Sequence, residues 1–136
     1  MQGLLLDTCA AIWVVEDAIS DAGEAALDQT RDSGAGIFVS AITAWEIGLM
    51  AARGRLASPM SPLAWFEELT IRHGVSVVEL SPAVLVASCF LPGRMWKDPA
   101  DRMIIASARE HAMTVMTRDR AILEYAKAGF VLAAEC

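Results

Sequence analysis

The segment Lys97-Asp98-Pro99-Ala100-Asp101-Arg102 places two carboxylates three residues apart at the mouth of an apolar helix. Acids at that spacing either cap a helix or hold a cation. Three more acids stand where they can join them. Asp7 directly follows Leu4-Leu5-Leu6, Glu46 interrupts an apolar stretch between Trp45 and Ile47, and Asp119 comes two residues after the run 113–117, MTVMT. Carboxylates gathered on one rim repel each other, and the repulsion is costly unless a cation or basic groups offset it. An all-oxygen donor set without histidine or cysteine suits Mg²⁺ or Mn²⁺ and argues against zinc. His73 and His111 read instead as residues near the C-terminal ends of helices.

Whether these acids meet depends on the elements that carry them. Short apolar runs alternate with helical stretches: strands are expected over 3–6, 37–40, 75–80, 113–117 and 130–133, with helices between them. Ser61-Pro62, Ser81-Pro82 and Asp98-Pro99 each put a capping oxygen before a proline at the first helical position. Such alternation implies a parallel sheet covered on both faces, whose site lies at the carboxyl ends of the strands. Asp7 and Asp119 then fall on that edge. Glu46 overlooks it from the helix after the second strand, and Asp98 and Asp101 open a helix that starts there. Asp98 is the better N-cap, since the residue before proline is pushed out of helical geometry. Asp101 is left to project as a ligand, with the reverse assignment, or both as ligands, open. Asp7 and Asp119 have the same alternative of simple caps.

The 136 residues fit one domain over 1–136. A hydrophobic content of 55% against 21% charged residues indicates a globular chain. A net charge of −6 argues against a module that grips nucleic acid by bulk positive charge, and it suits a basic partner. No apolar run approaches the ~18 residues of a membrane span. The start lacks a basic region, so no signal peptide is expected. Three cysteines without C-x-x-C spacing read as reduced thiols of a cytoplasmic protein, with Cys9 and Cys89 expected as small core residues.

Taken in order, Asp7 in LLLDT, Glu46 in SAITAWEIG, Asp101 in DPADRMIIASA and Asp119 in VMTRDRAIL resemble the four acids of the PIN-domain nucleases, and of the VapC-type toxins of bacterial toxin–antitoxin pairs in particular. The resemblance spans nearly the whole chain. It implies a three-layer α/β/α sandwich around a parallel sheet. Asp7, Glu46, Asp101 and Asp119 would be the catalytic, metal-binding acids, and Asp98 matches a further acid found in one branch of the family. Thr8, Ser40 and Thr117 match small hydroxyl positions beside the site, with turn or cap chemistry as the alternative. The segment between Glu46 and Asp101 departs from the family in length, carrying two extra Ser-Pro helix starts.

The activity implied is that of an endoribonuclease using Mg²⁺ or Mn²⁺, in which metal-activated water attacks the phosphodiester and leaves 5′-phosphate and 3′-hydroxyl ends. A small cognate antitoxin whose tail covers the site and a homodimeric toxin are also implied. Arg94, Lys97, Arg102, Arg118 and Arg120 lie close in sequence to the acids and are placed to meet RNA phosphates, unless Arg102 and Arg118 pair with the acids themselves. Trp96 is either a stacking platform for a splayed base or a core residue. Two rival readings are a receiver-like Mg²⁺-binding signalling domain and a non-catalytic binding module of the same fold. The first wants an adjacent acidic pair after the first strand and a lysine after a late one. Here Asp7 stands alone and Thr117 leads into Arg118-Asp119.

Overall fold

A computed structural model of the chain describes residues 3–93 and 98–136. The expectations for Arg94, Trp96 and Lys97 lie outside the described residues.

Strand β1 (Leu4–Leu6) is the middle of a five-stranded sheet. It is followed by helices α1 (Thr8–Val15) and α2 (Asp21–Asp32), then β2 (Ile37–Ser40) and α3 (Ala41–Ala52). Helix α4 (Pro62–Glu67) runs on into a π-helical turn, Glu68–Arg72, before β3 (Ser76–Val78). The second half is α5 (Pro82–Cys89), α6 (Pro99–His111), β4 (Thr114–Thr117), α7 (Arg120–Lys127) and β5 (Leu132–Glu135). All neighbours pair in parallel in the order β3-β2-β1-β4-β5, with Leu5 opposite Phe38 on one side and Val115 on the other. A receiver-type sheet has the order 2-1-3-4-5, so the topology sets that rival aside.

The period of two along each strand divides the core into two layers. Leu4, Leu6, Val39 and Met116 face one side, where they meet Ala10, Ile47, Trp65 and Leu69. Leu5 and Val115 face the other, against Val84, Ile104, Ile105 and Ile122. Helix, sheet and helix make the expected α/β/α sandwich. Each fully buried leucine contributes roughly 1.5–3 kcal/mol over its exposed state. Leu5 and Leu6, both at 0% exposure, therefore pin the register of β1 and with it the position of Asp7. Among the described residues no helix is long and apolar enough to cross a membrane.

Two details differ from the sequence reading. The last strand begins at Leu132 rather than Phe130. Phe130 instead closes the end of α7, its N–H donating to the Tyr125 carbonyl and its ring lying 4.9 Å from that of Tyr125. Cys9 and Cys89 are exposed, and Cys136 is the buried cysteine. Cys9 falls on the face of α1 that borders an open cleft, and Cys89 ends α5, so neither helix turns its thiol inward.

Candidate active site

At the carboxyl edge of the sheet lies a cleft of about 430 Å³. Asp7, Glu46, Asp98, Asp101 and Asp119 all line it, together with Arg118. Three of the acids are delivered as helix N-caps and two from within helices. Asp7 leaves β1 as the N-cap of α1: its Oδ1 accepts from the Ala10 N–H at 2.8 Å, and its own N–H is held by the Met116 carbonyl of β4. Asp119 caps α7 through Oδ1, which accepts from Ala121 and Ile122 N–H at 2.8 and 3.2 Å. Asp98 caps α6 in the same way, accepting from Ala100 and Asp101 N–H at 3.0 and 3.2 Å. Asp101 projects from the first turn of α6, and among the described residues no hydrogen bond to its carboxylate is found. Glu46 comes from the middle of α3.

Capping and lining the cleft are compatible. A carboxylate has two oxygens, and the caps made by Asp7, Asp98 and Asp119 each use Oδ1. The other oxygen of Asp7 accepts from Thr117 Oγ1 at 2.5 Å. Thr117 in turn receives the Asp119 N–H at 2.9 Å, so this one hydroxyl ties two of the acids together. Thr8 Oγ1 donates to Glu46 Oε1 and stands 2.9 Å from Thr43 Oγ1.

Of the three expected hydroxyls, Thr8 and Thr117 therefore bond the acids directly. Thr117 and Ser40 are fully enclosed and Thr8 is nearly so. Ser40 serves as the N-cap of α3, accepting from Ile42 N–H at 3.2 Å, and does not line the cleft. The bonds found for the two arginines among the described residues run to backbone carbonyls. Arg102 donates to the carbonyls of Ser88 and Cys89, joining α6 to the end of α5. Arg118 stacks 3.8 Å above the Trp13 ring and donates to the carbonyls of Ala18 and Cys136. Thr43 and Trp13 are residues that the sequence reading passed over, and Cys9, expected in the core, lines the cleft instead. For Thr43 the available signal was its position three residues before Glu46, on the same helix face.

The electrostatics are those of crowded, partly desolvated carboxylates. Burial pushes the Asp7 carboxyl up, against the bonds from Thr117 and Ala10, and Asp119 adds to the rise. Burial likewise raises Glu46, with Asp98 and Asp7 adding repulsion and the Thr8 bond opposing. Asp101 is raised to about 7, first by burial and then by Asp98, Asp119, Asp7 and Glu46. Although Cys9 keeps an exposed surface, its thiol is pushed to about 11 by partial desolvation and by four of the same acids. A site that makes its own carboxylates hard to ionise is one that a cation would relieve. Among the described residues, no three acids, histidines or cysteines stand close enough together to grip an ion without side-chain movement. The donors present are nonetheless the hard oxygens that Mg²⁺ and Mn²⁺ take.

Comparison with known proteins agrees with this architecture. Residues 4–128 match the PIN domain family. A ribonuclease of Mycobacterium tuberculosis, VapC22, is 30% identical over 122 residues, which is 88% of this chain and 89% of that protein. The structure of VapBC2 from Rickettsia felis, bound to a DNA fragment from its promoter, superposes with a TM-score of 0.71 at 13% identity, over 99% of this chain and 98% of that one. FitAcB from Neisseria gonorrhoeae gives 0.62 at 23% identity, over 96% and 95%. At those identities the structural likeness speaks for the fold alone.

Proposed function

The chain belongs to the PIN-domain family, and from that premise we propose that it is a divalent-metal-dependent endoribonuclease acting as the toxin of a toxin–antitoxin pair. One observation carries the proposal: five carboxylates from four separate segments line a single cleft, and Asp7, Glu46 and Asp101 are all held back from ionising. The ribonuclease relative supports RNA as the substrate.

Asp7, Glu46, Asp101 and Asp119 would hold Mg²⁺ or Mn²⁺, with Asp98 beside them. A divalent ion bound there supplies an activated water at neutral pH and offsets negative charge on the phosphate. The chain's own contribution is positional. Thr117 fixes Asp7 relative to Asp119, and Thr8 fixes Glu46. Arg118 presents a permanent positive charge at the rim, where it can meet an RNA phosphate. Its guanidinium is held in place by Trp13 and two carbonyls. Lys97 belongs with Arg118 as a phosphate contact in this reading, whereas Arg102 is committed to α5. The complexes among the structural relatives support an antitoxin partner. A basic antitoxin tail over the acidic cleft, a homodimeric toxin and a cytoplasmic setting complete the proposal.

The test is cleavage of total bacterial RNA with Mg²⁺ or Mn²⁺ against EDTA, beside Asp7→Asn. Discrete fragments that need metal and disappear in the variant are expected. Equal cleavage by wild type and variant would overturn the assignment.

A further inference from the structure

Two hydroxyls behind Glu46 form a chain with a defined direction. Thr43 and Glu46 are three residues apart on α3 and share a face. The Thr43 side chain is fully enclosed, at 0% exposure, and its Oγ1 lies 2.9 Å from that of Thr8. Thr8 Oγ1 donates to Glu46 Oε1. A threonine hydroxyl carries one proton, and an ionised carboxylate only accepts. With the Thr8 proton committed to Glu46, the bond between the two threonines runs from Thr43 to Thr8.

Two other buried hydroxyls on helices satisfy themselves locally, while Ser107 Oγ on α6 finds no partner among the described residues. Thr30 donates to the Ala26 carbonyl at 2.7 Å, and Ser88 to the Leu85 carbonyl at 2.6 Å, each on its own helix. Thr43 reaches across to α1, and among the described residues Thr8 is the partner found for its hydroxyl.

We propose that Thr43 is a positioning residue for Glu46. By donating to Thr8 it turns the Thr8 proton onto Oε1, so the carboxylate is held from one side while Oε2 stays uncommitted for a ligand. Hydrogen bonds in such a chain polarise and strengthen one another. The proposal rests on the reading of Glu46 as a metal-holding carboxylate. Outer partners of that kind typically change metal affinity about 10–100-fold.

Thr43→Val keeps the side-chain shape and removes the hydroxyl; Thr43→Ser keeps the hydroxyl. Crystal structures of both variants and wild type in EDTA, with Mn²⁺ titration calorimetry and thermal melting on the same proteins, separate the outcomes. In Thr43→Val the Glu46 carboxylate is expected to leave Thr8 or spread over several rotamers, with Mn²⁺ bound about tenfold more weakly. Thr43→Ser should restore both, and melting should show all three proteins folded. If Thr43→Val fails to fold, Thr43→Ala is read in its place. Glu46 and Thr8 unmoved in Thr43→Val, with Mn²⁺ affinity unchanged, would overturn the proposal. A wild type that binds no Mn²⁺ would overturn the metal reading of Glu46 instead, and the EDTA structures alone would then decide the role of Thr43.

Discussion

Asp101 sits in the first turn of α6 among four other carboxylates, and its carboxyl is held protonated up to about 7 by burial and by those neighbours. Its folded value thus lies above the ordinary 3.8. Protonation therefore favours folding: the contribution is complete below the ordinary value and is lost as the pH rises through about 7. Without metal, the protein should melt at a lower temperature at pH 8 than at pH 5. Asp101→Asn should narrow that difference while abolishing cleavage, and a pH dependence identical to wild type would show that Asp101 is not the group responsible. Asp98 permits a separation of roles. Asp98→Asn keeps a good N-cap and removes the charge, whereas Asp98→Ala removes both at a cost of about 1 kcal/mol. Asp98→Asn is expected to melt like wild type yet cleave more slowly; full activity in Asp98→Asn would make Asp98 a cap alone. The acids were legible in the sequence because strand ends and helix starts place them. The choice between cap and cleft residue was not, because a carboxylate can cap a helix with one oxygen and still line the cleft. The hydroxyls beneath them were illegible for another reason: the Thr43–Thr8–Glu46 chain exists only once α1 and α3 pack together.

Three Pro-initiated helices illustrate how much of the element pattern is local chemistry. Ser61 accepts from Ala64 N–H and Ser81 from Val84 N–H, both at 3.2 Å, as the cap-then-proline pattern predicts. Where tertiary contacts decide, the pattern fails: the stacking of Phe130 on Tyr125 delays β5 by two residues. Helix α6 ends on Ala112 in the left-handed region, φ 53° and ψ 42°, which Gly occupies without the steric cost a side chain brings. Ala112→Gly should raise stability by about 1 kcal/mol, a few degrees in melting temperature, and leave cleavage unchanged because the residue lies at the opposite end of α6 from Asp98. A melting temperature that stays level or falls would show that the left-handed cap is not strained.

Over the whole molecule, a chain of net charge −6 concentrates five acids in one cleft. Such a field repels RNA until a cation offsets it, and it attracts a basic segment. A Lys/Arg-rich antitoxin tail should inhibit cleavage, with inhibition weakening as salt is raised; inhibition indifferent to salt would argue that the contact is mainly apolar. The layered architecture followed from alternation of strands and helices, but the strand order that sets aside a receiver-type domain came only with the structure. The central claim is that this cleft directs water, with a divalent ion, at an RNA phosphodiester. The most direct test is the end chemistry of the fragments. The account predicts 5′-phosphate and 3′-hydroxyl ends, formed with Mg²⁺ or Mn²⁺ and absent in EDTA. Fragments ending in 2′,3′-cyclic phosphate and still produced in EDTA would contradict it.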